Sequence, residues 1–135
     1  MATVLVIDDD LVLCELYNAY FSIEGLSDWH ALGESDIENA LKVIRLNVPE
    51  LIFLDNRLPP FQDFREPLEK LIACGYEGPI VVQSACTDDD VFDLAIELGA
   101  AKVWEKWRLS SGDLAEIVTQ LPKHFQSQVK VGVVS

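Results

Sequence analysis

Asp8 with Asp9, Asp55, Ser84 and Lys106 each stand where a short apolar run ends. The runs are residues 3–7, 51–54, 79–83 and 101–105. Carboxylates from two different segments, with water and a carbonyl, suit a hard cation such as Mg²⁺, which holds an octahedron of oxygens. A lysine beside them can grip a phosphoryl oxygen as a point charge, and a serine hydroxyl can donate a hydrogen bond to another. An aspartate at the centre can itself attack phosphorus and form an acyl phosphate. Taken together, the set has the chemistry of a phosphoryl-accepting aspartate surrounded by cation, amine and hydroxyl.

That chemistry needs one scaffold to bring the run ends together. A fifth apolar run covers residues 28–32, and helical spacing fills the stretches between runs. Leu13, Leu16, Tyr17, Tyr20 and Phe21 share one face; Ile37, Ala40, Leu41 and Ile44 a second; Leu68, Leu71 and Ile72 a third. Val91, Leu94, Ala95 and Leu98 form a fourth, and Leu114, Ile117, Val118 and Leu121 a fifth. Ser35-Asp36-Ile37-Glu38 reads as a capping box. Gly75 and Gly99 fall where helix C-termini favour positive φ, and Pro122 falls near the end of the last helix. Strand–helix alternation, five times over, predicts an α/β fold: a (βα)5 doubly wound parallel sheet with helices on both faces. Ligands of such sheets bind beyond the carboxyl ends of the strands. The second run ends near Ala31-Leu32-Gly33 without chemistry, which the strand order 2-1-3-4-5 explains by putting that strand at an edge. Residues 1–125 then form one domain, and residues 126–135 a short C-terminal tail, either a frayed end or a docked strand.

At 135 residues, half of them hydrophobic, the chain is one domain with a real core. Its net charge of −13 argues against a nucleic-acid partner, which requires a basic face, and favours cations and basic protein surfaces. Cys14, Cys74 and Cys86 follow no metal or disulfide pattern, consistent with a reducing compartment. The N-terminus lacks the basic segment of a signal peptide and no apolar run reaches the ~20 residues of a membrane span. A soluble, cytoplasmic protein is expected.

Leu5-Val6-Ile7-Asp8-Asp9-Asp10, Leu54-Asp55-Asn56-Arg57-Leu58-Pro59, Val82-Gln83-Ser84-Ala85 and the segment from Gly99 through Lys106-Trp107 resemble, in order, the motifs of the receiver domain of two-component response regulators. The resemblance covers about residues 1–122 and implies a flavodoxin-like fold. It implies that Asp55 is the phosphoacceptor and that Asp8, Asp9, Asp55 and the backbone carbonyl of Arg57 hold Mg²⁺. Ser84 and Lys106 would then grip the phosphoryl group. The implied partners are a histidine kinase or histidine phosphotransfer protein and a downstream target on the face of helix 4, strand 5 and helix 5. The self-catalysed gain and loss of phosphate make such a protein only marginally an enzyme. Three positions depart from the family pattern. Trp107 stands where a proline usually follows the lysine, Val103 where a switch aromatic is usual, and Phe64 beside the place of a glycine.

Other residues carry blander readings. Asp10 begins the first helix, and Asp88-Asp89-Asp90 occupies the first turn of the fourth. Arg57 and Cys86, two residues past Asp55 and Ser84, are either tuners of water access or plain surface. Trp29, Trp104 and Trp107 read as partial core or partner-facing surface, His30 as a strand residue and His124 as exposed. A stand-alone receiver, with no output domain following, is therefore the main expectation. The alternatives are a pseudo-receiver that binds partners without switching, and a Mg²⁺-dependent phosphohydrolase. Against the hydrolase, Asp55-Asn56-Arg57 has no second acid two residues on.

Overall fold

In the computed structural model of the chain, residues 2–85 and 89–134 are described. Strand and helix alternate throughout: β1 (Ala2–Ile7), α1 (Val12–Ile23), β2 (Trp29–Glu34), α2 (Ile37–Leu46), β3 (Leu51–Asp55), α3 (Arg65–Ala73), β4 (Ile80–Ser84), α4 (Asp89–Glu97), β5 (Lys102–Glu105) and α5 (Ser111–Val134). All pairings are parallel, and the strand order is β2-β1-β3-β4-β5. The fold class and strand order expected from the sequence are those observed.

The central strands are apolar on both sides because both sides are covered. Val4 and Val6 face a layer with Leu13, Tyr17 and Phe21 of α1 and Leu114, Ile117 and Val118 of α5. Leu5 and Ile7 face the opposite layer, with Ile37, Ala40 and Ile44 of α2, Leu68 and Leu71 of α3, and Ala95 of α4. Each fully buried Leu or Ile contributes about 1.5–3 kcal/mol, so the two layers fix the strands whose ends carry the polar residues. Two of the expected helix-face residues are excluded from the core: Ile72 and Leu98 are exposed. Val91 is among the residues whose side chains lie outside the description. No helix among the described residues is long and apolar enough to cross a membrane.

Local signals are displaced from their expected places in two elements. The cap of α2 is Asp36, not Ser35: Asp36 is extended, with φ −142° and ψ 159°, and its carboxylate accepts from the Asn39 amide. The Asn39 side chain donates to the other Asp36 oxygen at 2.9 Å, so the cap lies one residue later than Ser35 and is held by one carboxylate rather than by a reciprocal box. Pro122 lies inside α5, and the helix continues to Val134. Residues 126–134 are therefore helical, neither a frayed end nor a docked strand. A proline removes one amide hydrogen bond and crowds the preceding turn, but here the turns on either side keep theirs.

Asp10 lies near the start of α1, one residue before its N-cap Leu11, and its carboxylate accepts from the Val12 amide at 3.1 Å. Asp89 and Asp90 open α4, while Asp88 lies outside the described residues. On α1, the Asn18 carboxamide donates to the Ala31 carbonyl at 3.0 Å and accepts from the Ala31 amide at 2.8 Å. One side chain thereby takes both backbone groups of a residue on the edge strand β2.

Gly75 and Gly99 follow α3 and α4 with φ +94° and +115°. An added Cβ at Gly99 would also stand 2.8 Å from Ile72 Cδ1. Ile72 can swing aside, so the backbone conformation carries the cost. Gly99→Ala is expected to lower stability by about 1–3 kcal/mol, read as a lower urea midpoint at an unchanged m-value. An unchanged midpoint would show that the turn relaxes freely.

Candidate functional site

β1 and β3 are neighbours at the centre of the sheet, and the residues at their carboxyl ends meet above it. Asp8 follows Ile7, Asp55 is the last residue of β3, Ser84 the last of β4, and Lys106 follows β5. The backbone joins these ends: the Lys106 amide donates to the Ser84 carbonyl at 2.9 Å, and the Asn56 amide to the Gln83 carbonyl at 2.7 Å. Asp8, Asp55, Ser84 and Lys106 are all buried, with relative exposures of 2, 6, 5 and 8%, whereas Asp9 is exposed. Burying a charge costs several kcal/mol even after relaxation, so these groups need compensation from one another or from a ligand.

The compensation is partial. Lys106 Nζ stands 2.6 Å from Asp8 Oδ2 and 3.7 Å from Asp55 Oδ2. Carboxylate oxygens of Asp8, Asp9 and Asp55 lie within 4.8 Å of one another. Three carboxylates against one ammonium leave two negative charges uncompensated. Asp8 Oδ1 accepts from the Asp10 amide at 2.8 Å. Asp8 Oδ2 is buried, and its close charged partner is the Lys106 ammonium. One Asp55 oxygen accepts from the Arg57 amide at 3.3 Å.

The charges respond accordingly. Burial pushes the Asp8 carboxyl up to about 6, against the opposing pull of Lys106 and the Asp10 amide, with the charge of Asp55 adding to the rise. Burial also raises Asp55, with Lys106 and the Arg57 amide opposing it. For Lys106 burial works downward, but contact with Asp8 and the charges of Asp55, Asp8 and Asp9 prevail and raise it. A high-pKa ammonium beside two strained carboxylates is a site built to receive positive charge or to neutralise what arrives.

The structure thus brings Asp8, Asp9, Asp55 and Lys106 into one cluster, with Ser84 on the adjoining strand end. Arg57 is exposed, and its amide rather than its side chain touches the cluster. Cys86 lies outside the described residues, as does the side chain of His124. His30 is an exposed residue of β2. Val103 packs into the layer with α2, α3 and α4, while Trp104 packs on the opposite layer, with the Lys102 ammonium 4.7 Å from its ring centre. Trp107 is exposed and lies 5.8 Å from Lys106 Nζ. The one cis peptide bond among the described residues joins Pro59 and Pro60.

Two polar residues at the site escaped the sequence reading. Asn56 spans two elements: its Nδ2 donates to Ser84 Oγ at 3.4 Å, and its Oδ1 accepts from the Phe64 amide at 3.2 Å. Gln83, buried beside Ser84, donates to the Tyr17 hydroxyl under the cluster. The only sequence signal for either is a polar residue in or beside an apolar strand.

No protein-family model matches the sequence, and no curated protein matches it either. Solved structures do. The receiver domain of the Francisella response regulator 1452 superposes with a TM-score of 0.76 at 22% identity, covering 92% of this chain and 98% of that one. A CheY-like response regulator receiver domain protein from Methanospirillum hungatei JF-1 gives 0.78 at 17% identity, with coverage of 95% and 98%. NtrX from Brucella abortus gives 0.80 at 25% identity; the match spans all of this chain but only 30% of NtrX.

Proposed function

The chain has the fold of a response regulator receiver domain, and from that premise we propose that it is a phosphoacceptor signalling domain. Asp55 takes a phosphoryl group from the phosphohistidine of a histidine kinase or histidine phosphotransfer protein. The observation that carries this reading is the uncompensated charge: three carboxylates around one buried ammonium, two of them buried and raised in pKa.

An Asp55 oxygen attacks phosphorus as the bond from phosphorus to the donor's imidazole nitrogen breaks. The electron pair stays on that nitrogen, and the product is an acyl phosphate. Lys106, freed from part of its attraction to Asp55, follows the charge onto the phosphoryl oxygens. The Ser84 hydroxyl donates to another of those oxygens. Water later attacks phosphorus, returning the Asp55 carboxylate and inorganic phosphate.

The residues present fit Mg²⁺: the donors are hard carboxylate oxygens within 4.8 Å of one another, and two negative charges remain to be matched. Asp8, Asp9, Asp55 and the Arg57 carbonyl would hold it. When bound, it supplies positive charge to the phosphoryl oxygens. The gained phosphate would be read by protein partners on the face of α4, β5 and α5, in the cytoplasm. Val103 favours a second reading, a pseudo-receiver that binds partners constitutively, since no aromatic side chain at that position can rotate.

Metal-free stability tests the electrostatics. Asp8 has a folded pKa of about 6 against 3.8 unfolded, so the folded state binds the extra proton. Its charging penalty is fully present above pH 6 and is relieved as the pH falls toward 3.8. From pH 7 to pH 5 this group alone adds about 1 kcal/mol of stability. Mg²⁺ should raise the thermal midpoint at pH 7.5 by mass action and do so less at pH 5. A midpoint indifferent to Mg²⁺ at pH 7.5 would exclude the cation site.

A further inference from the structure

Ser84 is not held by its own strand alone. A side chain that reaches its hydroxyl is Asn56, directly after Asp55 and not among the groups assigned to phosphoryl transfer. The Asn56 carboxamide is bound at both ends: Nδ2 to Ser84 Oγ at 3.4 Å, Oδ1 to the Phe64 amide at 3.2 Å. Phe64 is no ordinary loop residue. It is the N-cap of α3, with no side-chain cap of its own, and its ring is fully buried among Leu58, Leu68 and Leu71. One carboxamide therefore connects the hydroxyl at the end of β4 to the first turn of α3.

The two bonds differ in slack. A bond of 3.4 Å is at the outer limit of hydrogen bonding, so a small displacement of the Ser84 oxygen away from Asn56 breaks it. The carboxamide then loses one of its two anchors and can turn about its terminal torsion, where the rotational barriers are low. The bond to Phe64 loosens with it. A direct route away from Ser84 through an aromatic at position 103 does not exist, because Val103 is aliphatic and packs, partly buried, against the core.

We propose that Asn56 is a positioning residue that couples Ser84 to the start of α3. It contacts the hydroxyl before transfer and releases the Phe64 amide when the Ser84 oxygen moves off to meet the phosphoryl group. The proposal rests on the phosphoacceptor reading of Asp55 and names the element that reports it.

Amide hydrogen exchange at Phe64, followed by NMR with and without Mg²⁺ and acetyl phosphate, tests it, with intact mass recording the adduct in the same samples. Loss of one neutral hydrogen bond corresponds to about a fivefold change in an opening equilibrium. Phe64 should therefore exchange about five times faster in the phosphorylated wild-type protein. In Asn56→Ala it should exchange fast in both states while the adduct still forms. If the adduct forms and Phe64 exchange in the wild type is unchanged, the coupling is wrong and the phosphoacceptor reading stands. If the phosphorylation-dependent change persists in Asn56→Ala, the coupling runs elsewhere and the role of Asn56 is overturned. If no adduct forms on the wild type with acetyl phosphate or a phosphohistidine donor, both fall together. If Asn56→Ala does not fold, unchanged Phe64 exchange in the phosphorylated wild type still overturns the coupling.

Discussion

Asp55→Asn takes up no phosphoryl group from acetyl phosphate and Mg²⁺, whereas the wild-type protein gains about 80 Da, the mass of one phosphoryl on an acyl phosphate. The substitution keeps shape and burial and removes the nucleophile, so the loss is of chemistry rather than of fold. Stability separates these outcomes. Burial raises the Asp55 carboxyl, which means that its charged form is disfavoured in the folded protein. The neutral asparagine should therefore leave the metal-free protein as stable as the wild type or more so at pH 7. An adduct that persists in Asp55→Asn would move the nucleophile to another group. A variant that loses both adduct and thermal midpoint would leave the mass result without meaning, and the midpoint must be measured on the same sample.

Lys106→Met has the largest expected effect on stability. Lys106 is the cation within 3.7 Å of both buried carboxylates. Removing one partner of a buried ion pair costs about 3–5 kcal/mol, because the other charge stays buried without its match. Methionine fills the space, so a packing defect is a small part of the loss. The sign with pH follows from Asp8. Its carboxyl titrates near 6 with the lysine present and higher without it. The deficit of the variant should be largest at pH 7.5 and shrink toward pH 5, where Asp8 protonates. Mg²⁺ should recover part of it at pH 7.5. Urea denaturation at the two pH values, with and without Mg²⁺, measures all of this. A pH-independent deficit would mean that the lysine contributes through packing alone.

The fold was legible in the sequence because the signals agreed. Val4 to Ile7 and Leu51 to Leu54 are continuous apolar runs, as strands covered on two faces must be, and every helix between them carried an apolar stripe. The candidate site was legible for a related reason: Asp8, Asp55 and Lys106 interrupt or end apolar runs at places where a surface charge has no cause to be. What the sequence hid was of another kind. Asp36 and Ser35 are both good capping residues, and only the backbone conformation decides between them. Pro122 ordinarily ends a helix, and only the extent of α5 shows that it does not here. Asn56 looks like a loop residue until its two hydrogen bonds are seen, since a carboxamide reveals its partners only in three dimensions. Trp104 and Val103 are adjacent in the chain and lie on opposite sides of the sheet.

The contact between Asn18 and Ala31 has a consequence for association. An open sheet offers two rows of backbone groups on which a further strand could grow. At β2 the Asn18 carboxamide already occupies both groups of Ala31, as the backbone of a sixth strand would. An incoming peptide there must first displace a bidentate contact supplied by α1, while nothing comparable is seen among the described residues at β5. The molecule is thus polarised as a template. At Ala31 the β2 margin is guarded against β-addition by its own helix, and the other margin is the one beside α4 and α5, where the domain's signalling contacts are proposed to form.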